Sequence, residues 1–549
     1  MTHSAAPYGN GDSNKILLSP KHVLRQIKTT MKLTRISSVL AKIALAALCL
    51  AGAANALAAV DTTAATNVWP VMVRMDYNPV MNLKMQADGE TLTGIEFNLT
   101  GTTKISDIAS IDVYFGGNSV GKVGEKFGSA KVTGAPKVTV VGRKKLEHGA
   151  NDIWVSVTMK KNADIEGKIV LAATGATVNA RKQAIKGAKT EQRIGYAVAK
   201  AGDLKSKNYR IPAIARNPKT GTLIATFDIR YNHAGDLPAN IDVGVSRSTD
   251  GGKTWSPVES VLSSKNMEVK KGIGDPGILV DDKTGKIWIS ALWAPQSGHP
   301  IWTSSTGTDS PQNCGQMVLI SSDNDGKSWS KPINITSGIK RLQDSDTQDW
   351  GLVFQGPGAG ICTKDGTLIF PSQIWGHKGK GVKGVLVYSK DGGKTWTSSK
   401  AMPWGGSEST CVQLKDGSIM LNVRQGSPGE RIVATTKDMG ETWKKFDGEK
   451  LRQPGNLCQA ALLTADGKNL FFSNPNSGVR NHMTLKYSKD GGKTWSDGLL
   501  YDERRCAGYS TLAFTDAKNQ RIGVLYEGSP DSQTLFFLSI PADEVRKAK

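Results

Sequence analysis

Cysteine is scarce, with six in 549 residues, no Cys-x-x-Cys pair and no histidine beside any of them at metal-ligand spacing. That excludes a zinc site and a disulfide scaffold. One or two disulfides stay open, but Cys314, Cys362, Cys411, Cys458 and Cys506 are expected as buried free thiols. Long apolar runs are missing too. The stretch Ile43 to Ala54 falls short of the ~20 residues that a membrane span needs, so no transmembrane anchor is expected. Convincing helical periodicity is almost absent, which removes helix bundles and alternating α/β folds. Acidic residues are few, 49 against 70 Lys and Arg, for a net charge of +21. With 38% hydrophobic residues, 22% charged residues and 60 glycines, the chain is nonetheless folded and rich in turns.

The start of the chain reads as a targeting signal. From Met31 come Met-Lys-Leu-Thr-Arg, the short apolar run, and then Ala56-Leu57-Ala58 before Ala59. A basic head, an apolar core and a small-x-small site make a secretory signal peptide over 31–58. Residues 1–30 then form a non-native or misannotated extension, and the mature chain is expected to be secreted or periplasmic, with the cell surface a further option. Cleavage after Ala58 leaves +15, of which residues 59–200 carry +6 and 201–549 carry +9. Spread so evenly, with Arg143-Lys-Lys145 the only short run, this charge does not point to nucleic acid.

A repeat organises most of the mature chain. Ser248-Thr-Asp250-Gly-Gly252-Lys-Thr254-Trp255 recurs nearly unchanged at Ser389 to Trp396 and Ser488 to Trp495. Weaker copies stand at Ser322 to Trp329, with Asn324 in place of Asp, and at Thr436 to Trp443. Ser and Asp side chains close a tight turn on backbone N–H groups, and Gly supplies the unusual dihedral. The tryptophans lie 74, 67, 47 and 52 residues apart, room each time for a small antiparallel sheet. Short apolar runs such as Leu223 to Phe227, Ile287 to Leu292 and Ile419 to Val423 lie between turn signals. Together they predict an all-β chain whose larger part, 194–549, is a six-bladed β-propeller at roughly 60 residues per blade. Residues 59–180 carry alternating runs but no repeat, and predict a smaller β-sandwich, an accessory domain for which carbohydrate binding is one option. The segment 181–193, with Lys182, Lys186 and Lys189, reads as a solvated linker.

Gly-Gly-Lys-Thr at 251, 392 and 491 imitates the end of a phosphate loop. The earlier glycine that such a loop needs is Arg247, Tyr388 or Tyr487, which excludes it. Asp323-Asn-Asp325-Gly326 is half of a calcium loop without its closing Glu, so no metal and no cofactor are expected.

The five turn repeats resemble Asp-boxes, and Tyr209-Arg210-Ile211-Pro212 resembles the Phe/Tyr-Arg-Ile-Pro signature of bacterial sialidases (exo-α-neuraminidases), here over about 190–549. That resemblance implies a propeller whose central mouth cleaves terminal sialic acid from glycoproteins, mucins and glycolipids. It implies Arg210, Arg424 and Arg480 as the receptor for the sugar's carboxylate, a role that suits a permanently charged, bidentate donor. Asp236 is implied as acid and then base, Tyr509 as nucleophile and Glu408 as the base that takes its proton; a Tyr nucleophile departs from the usual pair of carboxylates. A neutral phenol meets no repulsion from the substrate's carboxylate. Glu527 is implied to orient Arg210, Arg230 and Asp275 to touch the 4-hydroxyl, and Trp302 is one candidate for the rim of an apolar N-acetyl pocket. Tyr209 in place of Phe should alter only packing, and Asn324 should weaken one turn.

The expectation is therefore a monomeric, retaining exo-α-sialidase acting through a tyrosyl-sialosyl intermediate. Trans-sialidase and intramolecular trans-sialidase chemistry stay open, since the residues do not say how water reaches the intermediate. A sialic-acid-binding lectin is the alternative from another class, but a lectin needs the arginines without a nucleophile and proton donor.

Overall fold

The structure is a computed structural model that describes residues 67–296, 300–341, 350–376, 381–529 and 534–548, with the strand Thr62–Ala64. The signal peptide and the extension before it lie outside the described residues. Val60–Lys549 forms one compact unit.

Six blades, each built on four antiparallel strands, make the propeller, and the second and third each carry one further two-residue strand. The first runs Asn208–Arg216, Leu223–Arg230, Ile241–Ser248 and Glu259–Leu262 from the axis outward. The expected apolar runs are strands, but their middle members do not alternate. Leu223–Arg230 and Ile287–Trp293 are buried along their whole length, because neighbouring blades cover both faces. Each repeat sits at the turn from third to fourth strand. In the first, Ser248 Oγ accepts the Gly252 N–H at 2.8 Å, and Asp250 Oδ1 accepts the Thr254 N–H at 2.9 Å. Gly252 has φ +94°, and a Cβ there would fall 2.1 Å from Phe537, so this turn requires glycine twice over. Asn324 closes its copy as well. Its Oδ1 accepts the Ser328 N–H at 3.0 Å and its Nδ2 donates to Ser328 Oγ at 2.8 Å, which keeps the turn closed.

The sixth blade is closed by a strand from before the propeller. Ser510–Phe514, Arg521–Glu527 and Thr534–Pro541 are completed by Lys189–Lys200. The first half of that strand pairs with Lys168–Val178 of the N-terminal domain, and the second half pairs with Thr534–Pro541. The segment 181–193 is therefore not a linker: Arg181–Ala184 forms a hairpin with Lys168–Val178, and Lys189 opens the shared strand. Its charges mislead because they occupy only the outward positions. Lys189 and Glu191 are exposed, whereas Thr190 and Gln192 between them are buried.

The N-terminal domain pairs a five-stranded sheet, whose central strands are Pro79–Ala87, Gly149–Met159 and Ile108–Gly117, with the sheet holding Thr91–Asn98, Lys137–Lys145 and Lys168–Val178. It is not a separate module. One apolar core runs from Leu83, Ile95 and Val155 through Val198 to Tyr209, Phe227 and Phe537 of the propeller. Arg74 adds a bidentate ion pair to Asp203 at 2.8 and 2.9 Å.

Candidate active site

Every residue implied for the chemistry lies at the propeller end opposite the repeat turns. In an antiparallel blade this end collects the start of the innermost strand and the loop from second to third strand. Arg210 and Asp275 open the innermost strands of blades one and two, while Glu408 and Tyr509 immediately precede those of blades four and six. Asp236, Arg424 and Arg480 occupy loops that follow second strands.

Two of the innermost strands carry the same distortion. The register shifts between Arg210 and Ala213 and between Gly274 and Gly277, where Ile211 (φ +57°) and Asp275 (φ +51°) each precede a proline. Positive φ is costly for a β-branched residue before proline. A buried carboxylate holds each bulge: Glu527 Oε1 accepts the Ile211 N–H at 3.0 Å, and Asp228 Oδ1 accepts the Asp275 N–H at 2.8 Å.

Around the axis, Tyr509 donates a short hydrogen bond to Glu408 Oε1. Arg424 Nη1 donates to both members of that pair, at 2.8 Å to Tyr509 Oη and 2.6 Å to Glu408 Oε2. The guanidiniums of Arg210 and Arg480 lie 5.2 and 5.4 Å from the centre of the Tyr509 ring. Glu527, wholly buried, accepts from Arg210 Nε at 2.9 Å and from the Tyr509 backbone at 3.1 Å, so it ties the first arginine to the tyrosine's strand. Arg480 meets only carbonyl oxygens, of Leu457 and Ala507 at 2.5 to 2.9 Å and of Asn456 at 3.4 Å, which leaves its charge without a carboxylate among the described residues.

Proton affinities diverge within this cluster. Burial lifts the Tyr509 phenol well above its usual range and Glu408 adds to the rise, against the pull of the three arginines. Asp275 is also lifted, by burial and then by repulsion from Asp228 and Asp236. Asp236 goes the other way: burial would raise it, but Arg230 and Arg210 together hold its carboxyl below the ordinary value. Neighbouring titratable groups driven apart in this way mark a reactive site.

The cavity over these groups measures about 270 Å³ and is lined by Arg210, Asp236, Asp275, Glu408, Arg424, Arg480 and Tyr509. Arg230 does not line it. Only 1% exposed, Arg230 lies behind Asp236, donating to Asp236 Oδ1 at 2.8 Å and to Asp228 Oδ2 through two nitrogens. The wall beyond is apolar: Leu292, Ile301, Phe354, Trp302 and Trp375. Trp302 and Trp375 face each other at 6.2 Å. Sequence reasoning found Trp302 but missed Trp375, Phe354 and Asp228, the one buried carboxylate that anchors both Arg230 and the Asp275 backbone, since apolar and acidic residues inside strands carry no signal of their own.

Two family descriptions match this chain: the BNR repeat-like domain over residues 221–522, and the N-terminal domain of BNR-repeat neuraminidase over 59–182. A sialidase of Bacteroides fragilis (strain YCH46) is 34% identical over 84% of this chain and 91% of its own length. The chain belongs to the sialidase family. A sialidase of Clostridium perfringens is 28% identical over 59% of this chain and 87% of its own. Among solved structures, the Hadza microbial sialidase Hz136 superposes with a TM-score of 0.79 at 32% identity, over 88% of this chain and 99% of that one. Sialidase activity, a glycoside hydrolysis on sialylated glycans, is thereby supported, and the fold is shared with Hz136 over most of the chain.

Proposed function

We propose that this sialidase is an exported, retaining exo-α-sialidase that releases terminal sialic acid from glycoproteins and glycolipids through a tyrosine-bound intermediate. The observation that carries the reading is the triple contact of Tyr509, Glu408 and Arg424 beside two further arginines. A lectin would have use for the three guanidiniums but none for a phenol hydrogen-bonded to a carboxylate. Export rests on the pattern of residues 31–58.

In this reading the substrate's carboxylate settles among Arg210, Arg424 and Arg480. Tyr509 Oη attacks the anomeric carbon as its proton passes to Glu408, and Asp236 gives a proton to the departing oxygen. Asp236 then takes a proton from water, which attacks from the face that the departing oxygen vacated and displaces Tyr509 from the opposite one; Tyr509 recovers its proton from Glu408. Two inversions make net retention. In the free enzyme Arg210 Nη1 stands 3.6 Å from Asp236 Oδ1 and helps to keep that carboxyl ionised. An arriving carboxylate engages Arg210 and weakens that hold, so binding itself raises the proton affinity of the acid.

The test is release of free sialic acid from 2,3- and 2,6-sialyllactose by the full chain, with the anomer followed by NMR. Tyr509→Phe should lower kcat by at least ~10²-fold. Binding without release sinks the hydrolase reading and leaves the lectin. Sialic acid that appears only on an added acceptor, or as an anhydro-sugar, assigns the chemistry to transfer.

A further inference from the structure

One guanidinium near Tyr509 plays no part in that scheme. Arg431 lies between Gly429–Glu430 and Ile432–Thr436 in blade four and is only 4% exposed. Its Nε donates to Asn422 Oδ1 at 2.5 Å and its Nη1 to the Cys458 carbonyl at 2.8 Å. Among the described residues its Nη2 has no hydrogen-bond partner, and neither has Asn422 Nδ2 beside it. The other buried arginines are matched by carboxylates, Arg230 by Asp228 and Arg504 by Asp502. Arg431 has none among the described residues. An unmatched buried cation is expensive, and truncating such a group normally helps a fold. Arg431 does not reach the cavity. Between them stands Cys458, whose side chain packs against Tyr509 and Ile211.

We propose that Arg431 is a positioning residue whose unmatched charge acts through the Cys458 layer to keep the Tyr509–Glu408 pair in its anionic, reactive form. The inference rests on the catalytic reading above. The pair carries one negative charge wherever its shared proton sits, and it must keep that charge for Tyr509 to attack. A fixed cation in a dry interior stabilises that charge without reorganising. Burial, with repulsion from Arg424, draws Arg431 down to about 10, which still leaves it charged at neutral pH. The pair it faces is also addressed by Arg424, Arg210 and Arg480, by Asp275, Asp236 and Glu527, and by the Cys458 thiol. Of these, Arg424, Arg210 and Arg480 line the cavity and will be occupied by the substrate's carboxylate. Arg431 is then the cation whose field the substrate leaves intact.

The test uses the full chain and three variants: Arg431→Gln, Arg431→Lys and Asn422→Asp. Asn422→Asp leaves the guanidinium in place but sets a carboxylate against it, and so cancels its charge while strengthening the local contacts. Expected for Arg431→Gln and Asn422→Asp alike are an acid limb of kcat moved up by roughly half a pH unit, so that kcat on that limb is about threefold lower, and a KM within about twofold. Asn422→Asp should raise Tm, and Arg431→Lys should keep most of kcat. Native kcat and pH profile in a folded Asn422→Asp would overturn the proposal. So would an Arg431→Lys as slow as Arg431→Gln with both unstable, which would make Arg431 a hydrogen-bonding brace. A native chain without sialidase activity would instead defeat the catalytic reading.

Discussion

Glu527 shows how much one buried side chain holds in this protein. Its two oxygens meet Arg210, the Ile211 N–H and the Tyr509 N–H, three groups that belong to the first and sixth blades. Replacing it with Gln leaves Arg210 without its counter-charge in the interior. Glu527→Gln should cost about 3 kcal/mol in denaturant unfolding and raise KM, because Arg210 loses its fixed pose. Burial pushes Glu527 up, yet Arg210 and the two N–H groups win and lower it. Its stabilising share is therefore complete above the usual carboxylate range and lost as pH falls through the lowered value. Asp275 has the opposite sign. Burial and its acidic neighbours raise it, so its contribution is complete at low pH and drains away as pH climbs towards that raised value. Asp275→Asn should gain stability over the native chain as pH is raised from 4 to 8, with no difference at 4, read from Tm across that range.

At the scale of the element, the blade separates stability from chemistry. The repeat turns close on short polar side chains at one end of the first five blades, and the reactive groups stand at the other end of the propeller. Ser248→Ala removes the acceptor of the buried Gly252 N–H and should destabilise by about 1 kcal/mol while kcat stays native, as paired thermal and kinetic measurements would show. Asp438→Asn should be tolerated, since Asn324 already closes an equivalent turn. The distorted innermost strands matter for the opposite reason. The bulges at Ile211 and Asp275 swing Arg210 and the Asp275 carboxyl to the cavity, where a regular strand would alternate them between blade faces.

For the whole molecule, the shared strand Lys189–Lys200 makes the N-terminal domain part of the propeller's closure. A chain starting at residue 201 loses the outer strand of blade six and uncovers Leu535 and Phe537 of Thr534–Pro541. It should not fold, judged by near-UV circular dichroism and a cooperative unfolding transition. A chain starting at residue 185 keeps the strand but bares Tyr209, Phe227 and Phe537 where the common core is cut. It should fold with a lower Tm.

Much of this was legible in the residues alone, because local chemistry is written locally. The Asp-box turns follow from short-range patterns whose hydrogen bonds span four residues or fewer, as between Ser248 and Gly252, and the six-bladed count follows from the chain length shared out among blades. The identities of Arg210, Asp236, Glu408, Arg424, Arg480, Tyr509 and Glu527 were readable through the family resemblance that the turn repeats and the Arg-Ile-Pro start carry. Their meeting was not. Glu527 reaches Arg210 across 317 residues, and Tyr509 reaches Glu408 across 101. Only ring closure decides such pairs. The same holds for the apolar wall with Trp375 and Phe354, for the withdrawal of Arg230 behind Asp236, and for the strand hidden in the charged segment 181–193. Burial belongs to packing between distant elements, and a lone side chain in a sequence carries no record of what will cover it.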